Sequence, residues 1–481
     1  MNYTINKLCS LLLVSFFTGF SSHCMEQNLV ENQQETLALS EDSDFFELNQ
    51  TPEITSMKST GLPGILYELT ENIHCVAFSP DDRTIVTGSV HGNICAWDSQ
   101  KGTLIHHSLP TAESVTSIAC DSSGTTFFTG SFHGTVRQWN LKTGEKLLKL
   151  PFPVQSKVNS LACSYNDKLI CVAFDNGEAR LVSLESKELV FELSHLGHIR
   201  WTSFNSDNSV LITESFDPIH TAFAIHLHDA ITGKLIKTLG DDTNNPIEKV
   251  SYSNDKALVA TLFKDHTACV FDTTTGNRLL GVEKEKHPSK SVVISPQGTI
   301  LFTAPCDSLK GKAYAWDIKA GTKLMKLTKD DGNYDILACS PDEQTFVTSS
   351  LHNNIFLRSL KSETVPLQLH EELTTQAVFS PDGKTLLTLS LDRKISVWET
   401  ETGKKIVELP NTTIGEIQFS PCGKTIFIKG HGKDTPIWVR SGVIQETSQD
   451  TDAQSSEKSH ILGFTEAINL DDDSQKECSI Q

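Results

Sequence analysis

One pattern recurs along this chain and limits what it can fold into. Its clearest copy runs Phe379-Ser380-Pro381-Asp382-Gly383-Lys384, then Thr388-Leu389-Ser390-Leu391-Asp392-Arg393, then Ile395-Ser396-Val397-Trp398-Glu399, and closes with Thr402-Gly403-Lys404. The β-branched and apolar runs read as short strands. Pro, Asp and Gly fall between them, where tight turns need fixed or positive backbone angles. Aligned on the tryptophan position, the copies carry Trp97, Trp139, Val182, His228, Phe271, Trp316, Arg358, Trp398 and Trp438, at spacings of 40 to 46 residues. A repeat of that length is one supersecondary unit whose apolar faces need a neighbour on each side. An array is therefore expected, not two or three separate domains.

The period is that of a four-stranded propeller blade. The fold predicted is all-β: a single β-propeller of four-stranded antiparallel blades spanning 62–444, nine blades by repeat count, with seven or eight as the alternatives. Some copies are irregular. The fourth has an insertion at Phe216-Asp217-Pro218-Ile219-His220, the sixth an enlarged turn from Pro305 to Lys312, and the ninth has decayed.

These markers resemble the WD40 repeat family. The features that carry the resemblance are Trp97-Asp98, Trp139-Asn140, Trp316-Asp317 and Trp398-Glu399, the Ser-Pro-Asp-Gly-like turn, and the Ser/Thr-rich second strand. It implies buried aromatic positions at Trp97, Trp139, Phe271, Trp316 and Trp438. It also implies a hydrogen-bond network of His370, Ser390, Asp392 and Trp398 in the eighth unit. The family closes its ring by letting an N-terminal strand complete the last blade, and Ile65 to Leu69 is the segment suited to that role. Closure would remove exposed sheet edges and give a monomeric ring.

The two ends of the chain read differently. Residues 1–24, with Lys7 ahead of an apolar run from Leu8 to Phe20 and small residues Ser22 and Cys24, have the layout of a secretory signal peptide; an uncleaved anchor is the competing reading. Residues 25–61 form an acidic leader and 445–481 an acidic tail, both expected to be disordered. The chain is expected to be exported, periplasmic or secreted, with no membrane span after the signal peptide. Its cysteines do not read as a disulfide framework: Cys120, Cys163 and Cys339 replace a core residue of the repeat, and Cys75, Cys95, Cys171 and Cys269 fall within strands.

The formal net charge of -19 argues against a nucleic-acid footprint. No phosphate loop, nucleophile elbow or His-Glu-x-x-His motif occurs. His91, His133 and His352 occupy equivalent turns, where histidine tolerates positive backbone angles. His226 and His228 share a strand face and are the weak candidates for a metal, though no cysteine or carboxylate joins them at a ligand spacing. No cofactor is implied. The reading that follows is a non-catalytic scaffold for an unidentified protein or peptide. Its alternative is a propeller enzyme or quinoprotein-like cofactor-binding protein with its site at the central channel. The loops expected to bind are Phe216 to His220, Asp241 to Pro246 through Asn244, Lys284 to Pro288 with His287, and Pro305 to Gly311 with Lys310, the first and last expected at the opposite end from the middle two.

Overall fold

The computed structural model describes residues 58–59, 66–68 and most of 73–440. The expected signal peptide, most of the acidic leader and the acidic tail lie outside the described residues. Among those described, no helix is long and apolar enough to cross a membrane.

Each repeat folds as an antiparallel sheet in simple up-and-down order. Module one is representative, with strands Ile73–Phe78, Thr84–Ser89, Ile94–Asp98 and Leu104–Ser108. Its first turn is made by Ser79, whose hydroxyl donates to the Asp81 carboxylate at 2.6 Å and accepts from the Thr84 amide at 2.9 Å. The same serine clasp recurs at Ser380, with Asp382 and Thr385. A side chain thus supplies partners that the turn from Ser79 to Thr84 would otherwise leave to water.

Modules two to eight follow at 115–150, 158–194, 198–239, 247–282, 289–326, 334–370 and 374–409. The ninth comprises Ile414–Phe419, Thr425–Gly430 and Ile437–Arg440. Neighbouring modules are joined by side-chain packing. Phe128, Val136 and Leu150 of module two meet Val158, Ile170 and Phe174 of module three in one apolar cluster. Comparable clusters fill the successive boundaries, ending with Leu387 and Val397 of module eight against Phe419 and Ile426 of module nine. Each side chain fully buried there contributes roughly 1.5–3 kcal/mol. Gly130 permits a close approach in this cluster, since a Cβ there would lie 2.4 Å from Val158 Cγ1.

The expectation of a single closed nine-bladed propeller is overturned. Among the described residues no sheet closes on itself. The strands form eight open sheets, because modules four and five are continuous through Phe223 opposite Ile247 and make one sheet of eight strands. Leu66–Glu68 does pair with Ile437–Arg440, Leu66 opposite Val439, but Lys58–Ser59 then pairs outside it. That sheet has five strands and ends in an open edge. The ninth module also differs in register. Ile426 stands opposite Val439, whereas Ile85 stands opposite Trp97, so Val439 holds the repeat's tryptophan position and Trp438 is one residue out of phase. In a strand, one residue is the difference between the two faces.

Cys75, Cys95, Cys171, Cys269 and Cys339 are thiols buried in the strands, Cys120 and Cys163 are half-buried thiols, and Cys422 is an exposed thiol.

Candidate interaction surface

Strand direction sorts the connections into two ends. The first-to-second-strand turns and third-to-fourth-strand turns lie at one; the second-to-third-strand hairpins and the links between modules lie at the other. Among the described residues, hydrogen bonds tie several links to a hairpin. The Thr111 amide donates to Gly92 O at 3.0 Å, the His195 amide to Gly177 O at 2.9 Å, and the Lys264 amide to Pro246 O at 2.9 Å. Glu113, in the link before module two, accepts from the hydroxyls of Ser131 and Thr135 in that module's hairpin. Gly92 is required here: its φ is +85°, and a Cβ would fall 1.9 Å from Thr111 O.

This arrangement corrects the expectation that the outlying loops divide between the two ends. The strands flanking all four, ending at Asp217, Leu239, Val282 and Pro305, finish at the same end. Of the loop residues singled out, Phe216 is described; His220, Asp241, Asn244, His287 and Lys310 lie outside the described residues. Phe216 packs at 4.8 Å from Phe223, centroid to centroid, with the Arg200 guanidinium over both rings. The same end exposes Val90 (46%), Phe132 (53%) and Leu196 (88%).

The opposite end is a chain of turns that bind one another. The fourth residue of each first turn has positive φ: Asp82, Gly124, Asp167, Asn208, Lys256, Gly298, Glu343, Gly383 and Gly423. Asp167 accepts from the Ser122 and Ser123 amides of the preceding module, Asn208 from Tyr165, and Glu343 from Gln297. Asp82 accepts from Cys422 of module nine. Gly124, Gly383 and Gly423 lie beside Pro80, Pro341 and Pro381, where the proline ring leaves no amide to cap.

The tryptophans report a second repeated bond. Trp97, Trp139, Trp316 and Trp398 donate their indole N–H groups to Thr87, Thr129, Thr303 and Thr388 at 2.8–3.1 Å. In module seven Arg358 Nε takes that role toward Thr348. The hydroxyl reached in module eight is thus Thr388, two residues before Ser390, whose own hydroxyl donates to Lys394 O. His370 lies in the strand Leu367–His370, and Asp392 lies outside the described residues. Phe271 has no donor to offer, and Thr261 Oγ1, at the equivalent place, is buried without a partner.

His226 and His228 do share the expected strand, and a third imidazole joins them. His195 stacks on His226 at 4.0 Å between centroids and lies 5.4 Å from His228. The rings do not converge on a common point. Both His226 nitrogens are engaged by Ser215 and Thr238, and among the described residues no group of three such side chains has the geometry to hold a metal. His195 was not singled out from the sequence; a lone histidine between strands has no spacing signal.

The opposite face of module four holds a buried ionisable set shared with module five. Tyr252 donates to Glu214 Oε1 at 2.7 Å, and Lys256 Nζ lies 5.7 Å from the Trp201 ring and 5.4 Å from that of Tyr252. Burial raises the Glu214 carboxyl above its ordinary range against the pull of Tyr252, Lys256 and Arg200. Burial also pushes the Lys256 ammonium down to about 8, with Glu214 opposing the shift. The set is sealed between modules four and five and acts on packing.

Three stretches, 64–98, 99–140 and 363–399, match the family described as WD domain, G-beta repeat. They relate the chain to WD40 repeats through its first, second and eighth modules. No curated protein matches the chain. Among solved structures, the crystal structure of the computationally designed Ika8 protein is similar at a TM-score of 0.51 and 18% identity, covering 80% of this chain and 100% of that one. At that identity the similarity is one of fold alone.

Proposed function

We propose that this repeat protein is a non-catalytic scaffold that binds a protein or peptide at the end formed by its hairpins and inter-module links. The observation that carries this reading is the asymmetry between the two ends. Regular turns of one design, four of them capping an amide of a neighbouring module, occupy one end, and the chain's length variation is concentrated at the other, with Val90, Phe132 and Leu196 exposed there. Rigid sheets that hold variable loops on one side are a common basis for recognition. Export is part of the proposal, since residues 1–24 carry the signal-peptide pattern.

The test is cross-linking capture by the full chain, comparing wild type with Phe132→Ser/Leu196→Ser at the loop end and Ile231→Ser at the turn end, where Ile231 is 77% exposed. A partner captured by wild type and Ile231→Ser but lost with the double variant supports the reading. Equal capture by all three overturns it. Mass spectrometry of the mature N-terminus checks export: a chain still beginning at Met1 would remove the cleaved signal.

A further inference from the structure

Three imidazoles meet where module three hands the chain to module four. His195 comes from the link between the strands Leu189–Ser194 and His198–Phe204; His226 and His228 come from Ala222–Asp229. The His195 ring lies nearly parallel to that of His226, 13° between planes at 4.0 Å, and 5.4 Å from His228. The polar groups that receive them are neutral. His195 Nε2 meets Thr213 Oγ1 at 3.0 Å, and His226 meets Ser215 Oγ at 2.9 Å and Thr238 Oγ1 at 3.2 Å.

His228 Nδ1 lies 3.2 Å from Gly233 O, which fixes the proton on that nitrogen. Its Nε2 is then the bare acceptor, and it is buried without a partner. A second proton there would have no acceptor. The arrangement is built for three uncharged rings.

Charged groups on the surrounding elements are committed elsewhere. Arg180 pairs with Glu178 and Glu192 in module three. His198 pairs with Asp175 at the loop end. On the strands of module four, Glu214 faces module five and bonds Tyr252, Arg200 lies over Phe216 and Phe223, and Asp229 caps its own turn through Thr232. Lys237 packs toward Gly276 of module five, and Lys234 lies in the turn that the Asp229 amide closes. Among the described residues no carboxylate bonds any of the three rings, so a proton taken up by one meets two other imidazoles and neutral hydroxyls.

We propose that this three-histidine stack is an acid-sensitive latch. With all three rings neutral it fastens the link 195–198 to module four. Protonation expels a ring and frees that link, which carries the exposed Leu196 at the loop end. The latch is a property of the chain itself and holds whatever that end binds.

The direction of the titration follows from burial, which pushes His195 down to about 3 and His226 to about 4 and lowers His228. Unfolded histidines titrate near 6.5, so below that pH the unfolded chain binds protons that the folded chain refuses. Stability is full above about pH 6.5 and falls as the pH drops toward the folded values. From pH 7 to pH 5 each of His195 and His226 lowers the folding equilibrium about 20-fold.

The experiment is urea unfolding of the full chain between pH 7.5 and 5, for wild type and His195→Gln, with hydrogen exchange read on residues 194–198 and 222–229. The expected result is a wild-type midpoint that falls with acid, a drop in the folding equilibrium from pH 7 to pH 5 that is smaller in the variant by a factor of about 20, and exchange at 194–198 rising before the other module boundaries open. Equal pH dependence in the two proteins, or exchange at 194–198 that does not change with acid, overturns the proposal. Should His195→Gln not fold, NMR of the wild-type imidazoles decides: three histidines still neutral at pH 5 support the latch, and ordinary titration near 6.5 for all of them removes it.

Discussion

Trp139 donates its indole N–H to Thr129 Oγ1 at 2.9 Å, and the same two positions in other modules are filled in ways that show what the bond is worth. Module three replaces both partners with valine, Val172 and Val182, each buried. Module five replaces only the donor, leaving Thr261 Oγ1 buried and unpaired. Removing one partner of a buried bond is costly, while removing both is nearly neutral. Thr129→Val is therefore expected to destabilise by about 1–2 kcal/mol, and Thr261→Val to stabilise by about 1 kcal/mol. Urea midpoints check the opposite signs. Equal losses at the two sites would refute the argument.

The turn chain makes a different prediction at Asp167. Its carboxylate accepts two amides of module two, at 2.6 and 2.9 Å, from a backbone at φ +55°. Asp167→Ala loses the caps and keeps the backbone cost, and about 1–2 kcal/mol should go. Asp167→Gly loses the same caps but relaxes the backbone, so it should lose about 1 kcal/mol less. The order of the two midpoints, alanine below glycine, is the measurement.

At the loop end, Gly92→Ala brings a methyl group against Thr111 O from a backbone at φ +85°. Either the link between modules one and two moves away or the hairpin distorts. A loss above about 2 kcal/mol is expected, with exchange rising first at Thr111 and Ser131.

Between modules four and five, Glu214→Gln keeps a side chain near the Tyr252 hydroxyl but strips Lys256 of its buried counter-charge. A loss of about 3 kcal/mol is expected, recovered in large part by adding Lys256→Met. Lys256 also has a pH signature. Its folded value of about 8 lies below the ordinary 10.5, so between these the unfolded chain holds the extra proton. Stability gained from this group therefore rises with pH from about 8 to 10.5 and is absent at lower pH. The difference between wild type and Lys256→Met across that window isolates it.

The modules were legible in the sequence because their markers repeat in phase, and the serine clasp at Ser79 and Ser380 depends on residues a few positions apart. Relations between modules were less so. Nothing local distinguishes Phe223 opposite Ile247 from an ordinary hairpin end, yet that pair merges two sheets into one. The ninth module keeps a tryptophan at the usual spacing while its strand pairs one residue later, a register choice no spacing rule records. The strands flanking the four loops end on one side because alternate strands run in opposite directions, a relation set by strand direction and not by the local sequence of any loop. His195 was out of reach, since its partners His226 and His228 lie more than 30 positions along the chain, across two intervening strands.

The last sheet borrows from the first residues of the folded chain. Asp82 meets Cys422 across 340 positions, and Leu66–Glu68 waits for Ile437–Arg440. A ribosome adding about 5–20 residues each second needs roughly 20 seconds to over a minute to travel between those strands. Modules one to eight have all emerged by then and can consolidate in order, while the early strand stays unmatched throughout. Birth of this protein thus includes an interval in which a complete run of modules coexists with an unclaimed strand, and its hazards in the cell are concentrated in that wait.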